Sequence, residues 1–481
     1  MEKRNHQREE KIYYQDYENL VFQEKMKIRL EIETLSYDAV GIAKVKGTLK
    51  DGTVIENYPI FVPKTLPKEK AVVEIAELKK TYGTARLLDI RYHNYDIRVN
   101  PICPNFESCG GCDLMHMNYD YQLVFKQQAV KETLEHLGGI KDIEIEPIER
   151  MEDPYHYRNK VQVPFRYHNG KTICGFYKKF THEIVSLQDC YIQSNLANDI
   201  VKFVRNIANE LKIKGYDEDK NEGVIRHLLV RETKKHDNYM LVIVTKDKKI
   251  PSLDLFLKKI KMRYPMITSI IQNINPNPGN VILGKENHVL DGSPVIVDEL
   301  LNTKFQIGPM SFYQVNPIQT EKLYQGVIEF ANLSKDDVLI DAYCGIGTIG
   351  LIAAPYVKKV YGVEIVEEAI KNAIINKKLN NINNVEFVVG KAENQIKKWA
   401  NTINPTVLVV DPPRKGCDET FLETVVKMKI PKIVYVSCNP ATLARDLKYL
   451  VANNYEVLRI KPYDMFPNSN HVETIALLNL N

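Results

Sequence analysis

The C-terminal part of the chain repeats one pattern: a short apolar segment, a polar or proline-containing turn, and a helical stretch. The apolar segments are rich in β-branched side chains and cover residues 337–340, 360–364, 406–410 and 432–436. Segments of this length and composition are typical of buried strands, and their alternation with helices indicates a parallel sheet. The pattern therefore predicts a doubly wound, Rossmann-like α/β domain over residues 306–481, with ligands bound where the strands end.

A glycine-rich turn follows the first of these strands. Residues 341–347 read DAYCGIG, and the second strand ends at Glu364. Backbone N–H groups of such a turn approach a ligand closely, and an acid at the end of the second strand accepts hydrogen bonds from ribose hydroxyls. The turn lacks the third glycine of dinucleotide-binding folds. We therefore expect a nucleoside ligand without a pyrophosphate.

Further polar side chains are predicted at the same edge of the sheet. The third strand ends at Asp411, and the fourth runs into Cys438. Residues 455–460 and 472–477 are typical of a final antiparallel hairpin, so Glu473 begins its strand on the rim where the parallel strands end. The residues expected to converge there are Asp341, Glu364, Asp411, Cys438 and Glu473. A thiol on such a rim is a candidate nucleophile, although a lone cysteine is more often a buried, inert side chain.

Three cysteines lie close together at Cys103, Cys109 and Cys112. Their Cys-x5-Cys-x2-Cys spacing suits a metal centre, which needs a fourth ligand. Cys190 follows a predicted strand in a loop-like context and is preferred, whereas Cys174 lies inside a predicted hairpin and is expected to pack. Iron–sulfur is favoured over zinc, because zinc sites usually arrange their ligands as two Cys-x2-Cys pairs.

The cysteine cluster belongs to a middle region, residues 92–305, that is predicted to be an α+β domain. Within it, residues 155–160 read YHYRNK, which interleaves aromatic with basic side chains. Such a composition suits unpaired bases stacked on rings, with phosphates held by Arg158 and Lys160. A structural pair of tyrosines would explain the segment equally well.

Residues 1–91 are predicted to form a small β-module behind a charged, aromatic N-terminal tail. Segments with β-branched alternation cover residues 27–35, 40–45, 58–63, 70–78 and 85–92. Five such strands suit an OB-like barrel, a fold that often binds RNA. The lysines of this module would either contact phosphates or form a solvated face.

Length and composition limit the remaining classes of protein. The chain has 481 residues, 44% hydrophobic residues and a net charge of +4, which suits a multidomain globular protein whose basic surface is local. We find no apolar run of about 18 residues and no apolar N-terminal stretch, so neither a membrane span nor a signal peptide is predicted. We therefore expect a cytoplasmic protein in a reducing compartment.

Several motifs together resemble the RNA uracil-5-methyltransferase family, whose members are class I enzymes that use S-adenosylmethionine. The motifs are Asp411-Pro-Pro-Arg414, the segment from Ser437 to Arg445, and His471-Val-Glu473, in addition to the glycine-rich turn. The N-terminal module resembles a TRAM domain. The cysteine pattern resembles the iron–sulfur branch of the family, which modifies 23S ribosomal RNA. The resemblance runs from about residue 25 to the C-terminus.

The resemblance implies a role for each candidate residue. Cys438 would be the nucleophile and Glu473 the base in a reaction that forms 5-methyluridine at a single-stranded or loop uridine of 23S ribosomal RNA. Contacts to S-adenosylmethionine would come from Gln314, Tyr343, Glu364 and Asp411. A 4Fe–4S cluster, which in this branch supports folding and RNA binding, would be held by Cys103, Cys109, Cys112 and Cys190. The chain would act as a monomer without a protein partner.

Three alternatives remain open at this stage. The nearest is the same reaction on transfer RNA, against which the cysteine cluster and the N-terminal module argue. Amino-group methylation of DNA or protein also uses an Asp-Pro-Pro loop, but there an aromatic residue follows the prolines, whereas this chain has Arg414. A non-catalytic, RNA-binding iron–sulfur protein would leave the convergence of Cys438 and Glu473 unexplained.

Overall fold

The computed structural model describes residues 20–141, 143–179, 181–186, 188–235 and 237–481. Most of the predicted N-terminal tail therefore lies outside the described residues. The chain forms two compact units. The first comprises Met1–Phe106, Cys112–Gln122 and Asn468–Asn470, and the second comprises Glu107–Gly111, Leu123–Pro467 and His471–Asn481. The boundaries at 1–91, 92–305 and 306–481 stay predictions.

One β-sheet dominates the first unit. Its strands are β1 (Val21–Phe22), β2 (Lys27–Glu31), β3 (Thr34–Leu35), β4 (Gly41–Leu49), β5 (Val54–Val62), β6 (Lys70–Leu78) and β7 (Gly83–Tyr92). They pair in the order β1-β4-β5-β7-β6-β2, with β3 on β4. Alternate residues of β4 are buried, as a half-buried strand requires. All five predicted strands are present. The structure adds β1 and divides the first predicted segment into β2 and β3, because a two-residue strand has no periodicity to detect.

The second unit begins with a helix and a mixed sheet. Helix α1 (Tyr119–Thr133), which belongs to this unit from Leu123 onward, continues as a π-helical turn, Leu134–Gly138. The strands are β8 (Lys160–His168), β9 (Lys171–Tyr177), β10 (Ile184–Ser186), β11 (Ile225–Glu232), β12 (Tyr239–Thr245), β13 (Ile267–Ile274) and β14 (Glu286–Gly292). Their order is β10-β9-β8-β11-β12-β13-β14. Helices α2 (Asn195–Glu210) and α3 (Leu253–Arg263) pack on one face.

The β8–β9 hairpin confirms the turn expected at Asn169 and Gly170. Both residues have positive φ angles, 47° and 80°, and the flanking residues His168 and Lys171 are paired in antiparallel register. Two left-handed residues match the right-handed twist of a hairpin, which is why an Asn-Gly pair predicts this turn. Cys174 is buried on β9, as its hairpin position suggested.

The remainder of the second unit is the doubly wound domain that the strand–helix alternation predicts. A hairpin of β15 (Ile296–Leu300) and β16 (Thr303–Ile307) precedes helix α4 (Pro317–Ala331). The strands are β17 (Val338–Ala342), β18 (Lys359–Glu364), β19 (Val385–Val389), β20 (Val407–Val410), β21 (Lys432–Ser437), β22 (Tyr455–Tyr463) and β23 (Glu473–Leu480). The helices are α5 (Thr348–Ala353), followed by a 3₁₀ turn (Ala354–Tyr356), α6 (Glu367–Leu379), α7 (Ala392–Trp399), α8 (Glu419–Met428) and α9 (Pro440–Val451).

The topology of this sheet carries the carboxyl ends of four strands to one edge. The order is β19-β18-β17-β20-β21-β23-β22, with parallel pairing from β19 to β21. Strand β23 runs antiparallel to β21, so it begins at that edge. The four predicted strands and the final hairpin are confirmed. Strand β19 was not predicted, because it is an edge strand with only Val385 fully buried, and it shows no regular burial pattern.

Within the described part of the chain, every helix is too short or too polar to cross a lipid bilayer.

Candidate active site

The carboxyl ends of β17, β18, β20 and β21 open into a cavity of about 1540 Å³. Its lining includes every residue predicted as catalytic or cofactor-binding, namely Gln314, Tyr343, Glu364, Asp411, Cys438 and Glu473. Asp341, Arg414 and His471 also line it. Pockets for one small molecule usually measure about 300–1,000 Å³, so this cavity has room for more than one ligand.

Asp341, the second-last residue of β17, has a buried carboxyl group that is incompletely hydrogen-bonded. Its side chain is 1% exposed, and Oδ2 accepts a hydrogen bond from the Gly350 N–H at 2.7 Å. Among the described residues, Oδ1 has no hydrogen-bond partner. Burial, together with the nearby Asp411 and Glu364 carboxylates, raises the pKa of Asp341 to about 7. A buried acceptor without a donor indicates a place for a ligand.

Glu364 ends β18 and holds the glycine-rich turn. Its Oε2 accepts a hydrogen bond from the Gly345 N–H at 3.2 Å, and Oε1 accepts one from the Val366 N–H at 3.0 Å. The turn needs glycine at Gly347, where φ is 81° and an added Cβ would lie 2.5 Å from the Phe387 ring. Hydrogen bonding thus links the Glu364 carboxylate directly to the glycine-rich turn.

Polar side chains of α9 hold the loop after Asp411 in place through hydrogen bonds. Asp446 is buried, and its Oδ2 accepts hydrogen bonds from the Cys417 N–H at 2.8 Å and the Tyr435 hydroxyl at 2.6 Å. Arg445 donates to the carbonyl of Lys415 at 2.9 Å. These bonds hold the loop against β21. Enclosure in the cavity raises the pKa of Asp411 to about 7.

Cys438 follows β21 directly, and the next two residues start α9. Asn439 caps this helix, because its Oδ1 accepts a hydrogen bond from the Ala441 N–H at 3.0 Å, and Pro440 suits the first helical position. The half-buried Cys438 thiol has a pKa raised to about 11 by burial and by the Glu473 and Asp411 carboxylates, against an opposing effect of Arg414. A thiol with this pKa is protonated at neutral pH.

Glu473 begins β23 beside the end of β21. The next residue, Thr474, is paired with Ser437 in antiparallel register, which carries Glu473 to the rim that Cys438 occupies. Glu473 is 4% exposed, and burial and the Asp411 carboxylate raise its pKa well above the usual value. The structure thus brings the thiol and the carboxyl group into one cavity, as the register argument predicts.

Gln314 lies in the segment before α4 and is nearly buried. Its carbonyl accepts a hydrogen bond from the Asn159 side chain at 3.2 Å. Tyr324 of α4 also lines the cavity, and its hydroxyl has a pKa raised by burial. The sequence did not single out Tyr324, because a tyrosine on the apolar face of a helix resembles any other core residue.

Comparisons with known proteins place this site in a family. Residues 286–481 match the family model described as tRNA (Uracil-5-)-methyltransferase, and residues 23–88 match the TRAM domain model. An uncharacterized RNA methyltransferase of Oceanobacillus iheyensis is 45% identical over 94% of this chain and 96% of its own length. A second, from Halalkalibacterium halodurans, is 44% identical over 94% of this chain and 97% of its own length. The chain belongs to the RNA uracil-5-methyltransferase family.

A solved structure is similar to this protein over most of the chain. The tRNA (uracil-54, C5)-methyltransferase of Pyrococcus abyssi, in complex with S-adenosyl-L-homocysteine, superposes with a TM-score of 0.74 at 27% identity. The superposition covers 94% of this chain and 99% of that one. The present protein is thus an S-adenosylmethionine-dependent RNA methyltransferase with an N-terminal TRAM domain.

A metal centre at the predicted cysteine ligands is not shown. No group of three or more histidine, cysteine or acidic side chains among the described residues is placed to hold a metal ion. Cys103 and Cys112 are half-buried in the first unit, and Cys109 and Cys190 are half-buried in the second. Cys190 is held by Asn198, which accepts from its N–H at 3.0 Å and donates to its carbonyl at 2.9 Å. The iron–sulfur assignment stays a prediction from spacing and resemblance.

Proposed function

We propose that this protein forms 5-methyluridine in 23S ribosomal RNA, with Cys438 as the nucleophile and Glu473 as the base. The observation that carries the proposal is the presence of this thiol and this carboxyl group on one rim of a cavity large enough for a nucleotide and a cofactor. Family membership supports the uracil C5 chemistry.

Carbon 5 of uracil is a weak nucleophile, and the thiol is needed to activate it. Cys438 loses its proton to water, and its thiolate adds to carbon 6, so that the electron pair of the C5–C6 double bond moves into an enolate centred on carbon 5 and O4. Carbon 5 would then take a methyl group from bound S-adenosylmethionine, whose sulfur would keep the electron pair of the broken S–CH3 bond. Glu473 removes the remaining proton from carbon 5, the double bond forms again, and the thiolate leaves.

The cofactor-facing side of the cavity suits S-adenosylmethionine. Glu364 would accept hydrogen bonds from ribose hydroxyls, and Asp341 presents a buried oxygen without a donor. Gln314, Tyr343 and Asp411 would complete the contacts. When bound, S-adenosylmethionine supplies an electrophilic methyl group.

The state of the neighbouring carboxyl groups controls the thiol. Burial raises the pKa of Cys438, and ionised Glu473 and Asp411 raise it further because they oppose a second negative charge. Burial raises the pKa values of both carboxyl groups as well, and the Asp411 carboxylate adds to the rise at Glu473. When they are protonated, the thiolate forms more easily, and Arg414 favours it further.

The decisive experiment measures transfer of labelled methyl groups to unmodified 23S ribosomal RNA and to unmodified transfer RNA. Wild type is compared with Cys438→Ala and with Cys174→Ala, whose thiol is buried on β9 outside the cavity. We expect label at carbon 5 of uridine with wild type and Cys174→Ala, and none with Cys438→Ala. Label retained by Cys438→Ala would exclude the nucleophile assignment.

Transfer RNA is the second candidate, and one comparison favours it. The Pyrococcus abyssi enzyme is a tRNA (uracil-54, C5)-methyltransferase, and its superposition covers 94% of this chain, so it takes in most of the N-terminal unit. The N-terminal module therefore does not discriminate between the two substrates, and the cysteine pattern remains the argument for ribosomal RNA. Label on transfer RNA alone would replace the first candidate by the second.

A 4Fe–4S cluster is the remaining part of the proposal. It is supported by the Cys-x5-Cys-x2-Cys spacing, and its expected ligands are Cys103, Cys109, Cys112 and Cys190. Protein purified without oxygen should contain about four iron and four sulfide ions per chain. Cys109→Ala should lose them, and iron-free wild type would exclude the cluster.

A further inference from the structure

Three cations lie together beside the active-site cavity of the second unit. Lys160 of β8 is directly opposite Arg231 of β11 in the antiparallel register, so the two side chains lie on the same face of the sheet. Arg158, two residues before Lys160, lines the cavity. Burial and the guanidinium groups of Arg231 and Arg158 lower the pKa of Lys160 to about 8. Like charges in this arrangement destabilise a sheet.

Among the residues that the structure describes, the cluster also lacks partners that would neutralise it. Arg231 is 4% exposed; its Nη2 donates to the Ser311 carbonyl, but its Nε has no hydrogen-bond partner. The buried Nε of Arg158 has none either. With respect to the described residues, the Lys160 ammonium group forms neither a hydrogen bond nor an ion pair.

Neighbouring lysines show that partners are available elsewhere on this domain. Lys234 pairs with Glu321 at 2.5 Å, and Lys235 pairs with Glu299 at 3.2 Å. Glu232 follows Arg231 and therefore points to the other face of β11, where it accepts a hydrogen bond from Ser194 at 2.9 Å. The unpaired state of the cluster is thus a local feature and not a property of the whole surface.

Hydrogen bonds fix the cluster against the segment that carries Gln314. Asn159, which separates Arg158 from Lys160, donates its N–H to the Val315 carbonyl at 2.8 Å. Its side chain donates to the Gln314 carbonyl at 3.2 Å. Because Asn159 is itself buried, the three cations are held in place beside the cavity before any ligand arrives.

We propose that Lys160, Arg231 and Arg158 bind a backbone phosphate of the RNA next to the target uridine. The proposal rests on the proposed function, since it needs a nucleotide to enter the cavity. A uridine that enters remains attached to a phosphate on each side, so these anions must accompany it to the rim. A phosphodiester spreads one negative charge over two oxygens, which guanidinium groups recognise by paired hydrogen bonds.

The carboxylate of S-adenosylmethionine is the rival anion. That carboxylate is accompanied by an ammonium group on the same carbon, so the amino-acid end of the cofactor has no net charge. Three clustered cations match a phosphodiester better than such a neutral group. Experiment can distinguish the two anions. If the cluster binds a phosphate, removal of one cation weakens the binding of RNA; if it binds the cofactor carboxylate, the same change weakens the binding of the cofactor.

Lys160→Gln is the most informative variant, since the Lys160 ammonium group has no internal bond to lose. Binding of a short single-stranded oligouridine to the full-length protein is measured at several salt concentrations. We expect about tenfold weaker binding at low salt, and a salt slope of log K that falls by about 0.7, the value for one phosphate contact on a single strand. The melting temperature should stay the same or rise, because a like-charge contact is removed.

Two further variants separate this site from general effects of charge. Lys160→Arg should keep the wild-type slope. Lys259→Gln removes a lysine of α3 that already pairs with Glu210 at 3.0 Å, and it should change neither the affinity for oligouridine nor the salt slope.

An unchanged salt slope in Lys160→Gln would overturn the proposal. So would weaker binding of S-adenosyl-L-homocysteine by calorimetry with RNA binding intact, since the anion would then be the cofactor. Absence of methyl transfer by wild type, by contrast, would refute the proposed function.

Discussion

Two sets of buried charge in the second unit differ in whether they are paired. Lys126 and Asp464 are both fully buried, with Nζ and Oδ1 2.5 Å apart. Lys126 also donates to the Phe466 carbonyl at 3.0 Å. In contrast, Asp341 and Glu473 are buried at the edge of the cavity without an ion pair to any described residue. The first set joins α1 to the segment before β23, and the second faces the cavity.

The difference separates structural from functional charge. A buried ion pair is stable only while both members are present, because either alone would be an uncompensated charge. The unpaired carboxyl groups instead have pKa values raised by burial and by the nearby Asp411 carboxylate, which costs stability and indicates a site that awaits a ligand. We therefore expect substitutions in the first set to reduce stability and substitutions in the second to reduce activity.

Glu473→Gln should have the largest effect, on turnover. Without a base, the methylated adduct cannot lose its proton, so the RNA stays attached to Cys438. We expect at least about a thousandfold loss of turnover, with a covalent protein–RNA band that survives denaturation. The melting temperature should not fall. Normal turnover would exclude Glu473 as the base. It would also contradict the expectation that the unpaired carboxyl groups serve activity.

Lys126→Met should have the next largest effect, on stability. Removal of one member leaves Asp464 buried and unpaired, which typically costs about 3–5 kcal/mol of the free energy of unfolding. Denaturant unfolding followed by circular dichroism measures it.

The matched control is Lys126→Met combined with Asp464→Leu, which removes both charges. Because an apolar pair often replaces a buried ion pair without loss, the double variant should recover most of the stability. If the double variant is no more stable than Lys126→Met, the loss comes from packing rather than from charge.

Asp411→Asn changes a carboxyl group that neighbours both members of the functional set, and it is tested through the pH dependence of stability. Burial raises the pKa of Asp411 from 3.8 to about 7, so the folded protein binds this proton more tightly than the unfolded chain. The free energy of unfolding therefore falls as the pH rises from about 4 to about 7. The variant should lose part of this decline in thermal unfolding. Substitution of the exposed Asp336 should leave the curve unchanged, and identical curves for Asp411→Asn and wild type would contradict the assignment.

Alkylation of Cys438 should show the smallest but most direct effect. With a pKa of about 11, its reaction with iodoacetamide should accelerate about tenfold per pH unit through the neutral range. In Asp411→Asn the curve should shift to lower pH, because one carboxylate that opposes the thiolate is absent. Mass spectrometry identifies the modified residue. A plateau below pH 9 in wild type would show that the carboxyl groups do not control the thiol.

Much of the site follows from local sequence pattern. Glu364 and Asp411 lie where short apolar segments end, and parallel strands bring such positions to one edge. Glu473 was placed there by the same logic, since an antiparallel strand begins where its parallel neighbour ends. Strand β19 and Tyr324 were not predicted, because an irregular edge strand and a tyrosine on the buried face of a helix have no distinct sequence pattern.

The sequence by itself determined which residues end strands, because strand periodicity and turn chemistry act over a few neighbouring residues. Only the tertiary structure decided which distant side chains meet. Lys126 and Asp464 are separated by 338 positions, and nothing local relates them. The unusual pKa of Cys438 likewise depends on enclosure and on carboxylates from other strands. Charge interactions depend on distance and burial in space, which the order of residues along the chain does not record.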